Sequence, residues 1–155
     1  MTAAGHSALV FGASGYVGRN LVPHLVEAGW RVRAAARSRP VLEARQWADV
    51  ELVQADALEP ESLGPALEGI EVAFYLVHSM AAGNEFGQLD LLAAENFARA
   101  ASAAGLQRIV YLGGLVPGRD AGEHIDSRRE TGTTLRRGAV PVTELRAGII
   151  VGPGS

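Results

Sequence analysis

Residues able to do chemistry gather first at Val10-Phe11-Gly12-Ala13-Ser14-Gly15-Tyr16-Val17-Gly18-Arg19. Three glycines at this spacing suit an anion. Gly12 would permit a tight turn, Gly15 would let backbone approach a phosphate, and Gly18 would let a helix pack on a strand. Small turns also collect glycine, so the flanks decide between the two readings. Ala8-Leu9-Val10-Phe11 reads as a buried parallel strand, and Leu21, Val22, Leu25 and Val26 recur at helical spacing behind the glycines. Strand, glycines and helix in this order predict a pyrophosphate at the positive helix terminus, held by Gly12, Ser14, Gly15, Tyr16 and Val17. The ligand implied is a dinucleotide.

The second group of chemical residues lies about 20 positions further on, where a carboxylate would take ribose hydroxyls and an arginine would accommodate a 2′-phosphate. Here the segment reads Ala36-Arg37-Ser38-Arg39, and the first carboxylate is Glu43 in the next expected helix. Arg37, together with Arg39 as a weaker candidate, is a planar bidentate donor for phosphate, which predicts NADP(H) with NAD(H) as the alternative. The competing reading makes both arginines solvated charges ahead of Pro40. Asp56, with Ala57 beside it, follows the third expected strand; its carboxylate would either meet an adenine amino group or cap a turn before Pro60.

Composition removes other chemistries. The 155 residues, 48% of them hydrophobic, suit one domain over 1–155. A net charge of -3 gives no bulk attraction for nucleic acid. There is no cysteine, which excludes disulfides and thiolate catalysis and fits a reducing cytoplasm. No apolar run approaches the roughly 20 residues of a membrane span, and the N-terminus reads as lacking a signal peptide. All 14 basic residues of the Lys/Arg class are arginine, so Schiff bases, phosphate-loop lysines and Tyr-x-x-x-Lys dyads are absent. His6 and His24 read as surface residues, and no two histidines have metal-ligand spacing with a carboxylate, so no metal is expected.

The elements that must position these groups alternate along the chain. Expected strands are Arg31–Ala36, Glu51–Ala55, Val72–Val77, Arg108–Leu112 and Val142–Arg146 after the first. Expected helices are Leu42–Val50, Pro60–Leu67, Phe86–Ala104 and a segment around Asp126–Arg137. About six strands joined by crossover helices predict an α/β Rossmann fold: a doubly wound parallel sheet, helices on both faces, with ligand at the carboxyl strand ends.

The glycine motif, an arginine after strand two, Asp56 and Leu145-Arg146-Ala147-Gly148-Ile149-Ile150-Val151-Gly152 resemble the atypical short-chain dehydrogenase/reductases, including NmrA-like and nucleoside-diphosphate-sugar-epimerase-like proteins. Tyr75-Leu76-Val77-His78-Ser79-Met80 and Pro141–Gly148 resemble a bacterial subgroup of NAD(P)-binding oxidoreductases and sugar epimerases. The resemblance implies that Val77, His78, Ser79 and Met80 pass the nicotinamide-side ribose and that Leu112-Gly113-Gly114-Leu115 flanks the reacting ring.

The chain departs from that pattern where catalysis is expected. Members that catalyse carry a serine after strand five, and Gly113-Gly114 stands there. Counting eighteen residues back from Arg146, where the family places lysine, reaches Arg128, and four earlier, in place of tyrosine, stands His124. The resemblance therefore leaves His124 and Arg128 as the proton-relay set, with His78 as an alternative acid. Histidine transfers protons near neutral pH, whereas arginine does not release one; a surface role for His124 is the competing reading. Extended relatives continue past Gly-Ile-Ile-Val-Gly into a substrate half, so truncation before that part is expected, with apolar surface near strand six favouring self-association. Three functions follow from the resemblance: an oxidoreductase acting on an unidentified small molecule, a non-enzymatic NmrA-like redox sensor, or a sugar-nucleotide epimerase or dehydratase.

Overall fold

A strand buried on both faces must be apolar or satisfy its polar groups, and Ser7–Phe11 (β1) does both: every residue is buried, Ala8 to Phe11 are apolar, and the Ser7 hydroxyl donates to Gly69 O (3.1 Å). In the computed structural model, which describes residues 5–78, 86–115 and 123–155, β1 is central. Its alternating side chains feed two cores. Leu9 and Phe11 join Leu63, Phe97, Tyr75, Tyr111 and Leu135 on one face. Ala8 and Val10 join Val22, Leu25 and Leu42 on the other.

The chain then runs through α1 (Tyr16–Glu27), β2 (Arg31–Ala36), α2 (Arg39–Glu43) and β3 (Val50–Gln54). A short 3-10 turn at Pro60–Ser62 leads into α3 (Leu63–Leu67), followed by β4 (Val72–Tyr75), α4 (Phe86–Ala103), β5 (Arg108–Gly114), α5 (Glu123–Arg136) and β6 (Val142–Ala147). All pairings are parallel, in the order β3-β2-β1-β4-β5-β6. This is the doubly wound Rossmann arrangement, with the chain reversing its direction of travel between β1 and β4, and the crevice at that switch is where such sheets take ligands. The alanine-rich β2 is a strand despite its helical propensity. Its small side chains, buried at Ala34, Ala35 and Ala36, let helices sit close on both faces.

Two expectations shift. The helix expected over Leu42–Val50 forms earlier, at Arg39–Glu43, because Pro40 fits a first helical turn. Gln46 and Asp49 then take positive φ angles of 53° and 58°, which turn the chain toward β3 and close the helix. The fourth strand stops at Tyr75 instead of Val77. Leu76 N–H still donates to Phe11 O (2.9 Å), and Leu76 and Val77 then cross over the glycine turn.

At the β6 edge Leu115, Leu145, Ile149 and Val151 are exposed. Among the described residues no helix is long and apolar enough to cross a membrane.

Candidate functional site: a dinucleotide cleft at the strand ends

The glycine turn shows a different constraint at each glycine. Gly12 has φ +97°, and a Cβ there would stand 3.0 Å from the Leu76 carbonyl. Only glycine holds that backbone without strain. The N–H groups of Gly12 and Ala13 both donate to Ala35 O (3.0 Å), which pins the turn to β2. A Cβ on Gly18 would run into the Gly12 carbonyl oxygen and lie 2.7 Å from Ala13 Cα, so α1 packs here backbone to backbone. Gly15 differs, because its ordinary φ of -74° needs no glycine and a Cβ would meet only Gly12 O, at 3.5 Å. The space in front of Gly15 is therefore open, and a side chain would occupy it.

Helix α1 starts at that opening without a side-chain cap. The first helical bond runs from Arg19 N–H to Gly15 O (2.9 Å), so the N–H groups of Tyr16, Val17 and Gly18 have no acceptor within the helix. Uncapped donors and the positive end of a 12-residue helix together make a seat for an anion. The residues present thus fit a pyrophosphate.

A cleft of about 160 Å³ opens here, lined by Phe11, Gly12, Ser14, Gly15, Ala36, Arg37, Ala55, Asp56, Leu76, Val77 and His78. It lies across the carboxyl ends of β1 to β4. Larger hollows occur elsewhere, about 480 Å³ beside Trp30 and Arg31 at the opposite strand ends and about 530 Å³ between α4 and α5. Neither touches the glycine turn.

Of the expected contacts, Gly12, Ser14, Gly15, Arg37, Asp56, Val77 and His78 line the cleft. Tyr16, Val17 and Ala57 do not. The Tyr16 hydroxyl donates to Pro153 O (3.3 Å), and the neighbouring Arg19 guanidinium donates to Gly154 O (2.8 Å), so the segment after β6 folds back over the start of α1. Ala57 is buried, and its carbonyl accepts from Asn96 Nδ2 (2.8 Å). Asp56 Oδ1 accepts the Leu58 N–H (2.9 Å), so the carboxylate caps a turn as well as bordering the cleft. Arg39 is engaged elsewhere: Nε donates to Glu43 (2.8 Å) and Nη1 to Leu52 O (3.0 Å).

His78 lines the cleft at its other end, and side chains from three further elements gather beside it. His78 lies edge-on to Tyr111, with ring centroids 6.2 Å apart. Burial, reinforced by the Arg128 cation and opposed by Asp90, holds its imidazole down to about 4, so it is neutral near pH 7. The Tyr111 hydroxyl donates to Arg128 O (3.0 Å), and burial pushes it up to about 12. Ser127 Oγ donates to the buried Asp90 carboxylate (3.0 Å), tying α5 to α4. The Arg128 side chain passes Gly114, where an added Cβ would be 3.6 Å from its Cδ and Nη1. The expected Arg128 is thus at the end of β5, while Ser79, Met80 and the His124 side chain lie outside the described residues.

Glu144 on β6, absent from the expected set, stands against one departure. A Cβ on Gly113 would lie 2.8 Å from its Oε1, and one on Gly132 would lie 3.1 Å away. Arg136 and Arg146 pair with the same carboxylate. Alternation along β5 puts Tyr111 and Gly113 on one face, and that is the signal that could have marked this cluster. Among the described residues no group of His, Cys, Asp and Glu is placed to hold a metal ion.

Comparison with known proteins agrees with this fold. The model of the NmrA-like family matches residues 6–149. The ceramide reductase of Caulobacter vibrioides is 30% identical over 148 residues, covering 94% of this chain and 46% of that protein. The (4-alkanoyl-5-oxo-2,5-dihydrofuran-3-yl)methyl phosphate reductase of Streptomyces griseus is 34% identical over 140 residues, covering 89% and 46%. The chain thus spans less than half the length of each. Among solved structures, the triphenylmethane reductase of Citrobacter sp. complexed with NADP(H) superposes with a TM-score of 0.76 at 25% identity, over 90% of this chain and 48% of that one. WbmG of Bordetella bronchiseptica with NAD shares the fold, at a TM-score of 0.77 and 19% identity over 94% and 54%. The chain belongs to the NmrA-like family and has the Rossmann fold of NAD(P)-binding proteins.

Proposed function

We propose that the chain binds NADP(H) in preference to NAD(H) and that the protein uses it to reduce a small organic substrate. The observation that carries this reading is Arg37 in the cleft at the end of β2, where no carboxylate is placed to take ribose hydroxyls. The reductase relatives, and the NADP(H) complex of a structural neighbour, support it. Gly12, Ser14, Gly15, Tyr16 and Val17 hold the pyrophosphate, Tyr16 and Val17 through backbone N–H groups alone. Asp56 borders the adenine, with Ala57 buried behind it, and Val77 and His78 border the nicotinamide ribose. A bound NADPH supplies a hydride. Arg128 offers a permanent cation for charge developing on a substrate oxygen, and His124, about one helical turn ahead of it, is the proton-transfer partner. The proposal extends to a cytoplasmic homo-oligomer, with the exposed apolar edge at β6 as the self-association surface.

A second reading, a redox sensor that passes the NADP/NADPH ratio to a partner, is favoured by one observation. Glu144 fills the space where a residue larger than Gly113 would project, so the reaction end lacks the usual hydroxyl.

Calorimetric titration with all four nicotinamide dinucleotides tests both readings. Wild type is expected to prefer the phosphorylated pair, and Arg37→Ala to lose about tenfold or more for NADPH while NADH changes little. Equal losses for both would remove the 2′-phosphate assignment. Equal binding of oxidised and reduced forms would remove the sensor.

A further inference from the structure

The first turn of α1 is used twice. Its backbone N–H groups at Tyr16 and Val17 are donors left free for an anion, while its side chains at Tyr16 and Arg19 hold a piece of chain that arrives from β6. That piece leaves the sheet where Leu115 N–H donates to Ala147 O (2.9 Å). It closes a turn over residues 152–155, in which Ser155 N–H donates to Gly152 O (3.1 Å).

Two bonds fasten this turn to the helix. The Tyr16 hydroxyl donates to Pro153 O (3.3 Å) and Arg19 Nη2 donates to Gly154 O (2.8 Å), with the guanidinium stacked over the Tyr16 ring, 5.2 Å from its centroid. The approach is close, since a Cβ on Gly152 would stand 2.7 Å from the Tyr16 hydroxyl oxygen. Apolar burial adds little. Ile149 is 95% exposed and Val151 77%, so residues 149–155 are held on α1 by these polar contacts.

An uncapped first helical turn has N–H groups without partners, and an anion on them fixes backbone that otherwise frays. Tyr16 belongs to that backbone and also carries the hydroxyl that reaches Pro153. Fixing the backbone therefore fixes the anchor. Any such effect is reciprocal: a segment that docks better when the seat is filled must make the seat bind better when it docks.

We propose that Tyr16 and Arg19 are positioning residues that couple the anion seat to the segment after β6, so that a pyrophosphate orders residues 148–155 and the ordered segment tightens the seat. This rests on the dinucleotide reading of the cleft.

The test uses ADP-ribose, which carries the pyrophosphate without a nicotinamide ring. Hydrogen exchange read by mass spectrometry is followed with and without it, and its affinity is measured for wild type, Gly152→Ala, Arg19→Gln and Tyr16→Phe, with thermal melting to confirm folding. In wild type, ADP-ribose should slow exchange in the glycine turn and, by about threefold or more, in residues 148–155 as well. Gly152→Ala should abolish the second protection and weaken ADP-ribose about threefold, although its Cβ meets α1 only at the Tyr16 hydroxyl. Because it alters no charge, it separates coupling from the loss of a nearby cation in Arg19→Gln. Tyr16→Phe, which keeps the ring under Arg19, should weaken binding less than Arg19→Gln. If ADP-ribose protects the glycine turn and leaves residues 148–155 unchanged, or if Gly152→Ala binds it like wild type, the coupling is wrong and the dinucleotide reading stands. If ADP-ribose protects neither region, the pyrophosphate seat itself is wrong.

Discussion

The two ends of the cleft are built by different means. At the glycine end, between β1 and α1, the fitting surface is backbone: an uncapped helix terminus, a turn at positive φ, and an open face at Gly15. At the far end His78, after β4, lines the cleft and is backed by side chains from separate elements, Asp90 on α4, Tyr111 on β5 and Ser127 and Arg128 on α5. A backbone site can be specified by a few residues close in sequence. A side-chain site needs the whole sheet in register before its members meet.

The largest expected break of this contrast is Gly18→Ala. Its Cβ would collide with backbone that cannot yield without moving α1 off β1, so stability should fall by about 3 kcal/mol in urea denaturation. An unchanged midpoint would mean that the helix has room to shift.

At the side-chain end, His78 makes stability depend on pH. Its folded value of about 4 is below the ordinary 6.5, so between these values the unfolded chain binds more protons. Stability should therefore be full above pH 6.5, fall as pH drops toward 4, and level off below. The loss attributable to His78 should be on the order of 3 kcal/mol. His78→Gln should flatten that part of the profile measured by denaturation at each pH; an unchanged slope would show that His78 is not the buried group responsible.

A smaller effect, about 1 kcal/mol, is expected for Gly113→Ser, because the new side chain presses on the Glu144 carboxylate. Combining it with Glu144→Ala should relieve the clash, so the double variant should be more stable than the sum of the two single changes predicts. Simple additivity would show that Glu144 does not dictate the glycine.

The sequence made the glycine end readable because its signals are local. Apolar continuity marked β1, and the strand-glycine-helix order marked the turn. Even β2, with its alanines, was placed by its position in the alternation. The far end was less legible for physical reasons. Asp90, Ser127 and Glu144 are unremarkable polar residues on helices or a strand until α4, α5 and β6 pack together. Arg37 is marked by its distance from the glycines and Asp56 by its place after the third strand; both line the cleft, and the turn-capping reading of Asp56 is realised.

The central claim is that the open backbone in front of Gly15 is where the dinucleotide phosphates sit. It is tested most directly by measuring NADPH affinity and thermal stability together for Gly15→Ala. Its φ is ordinary and its Cβ meets no close neighbour, so the variant should melt within a few degrees of wild type while binding NADPH at least about tenfold more weakly. A variant that melts like wild type and binds NADPH equally well would contradict the claim.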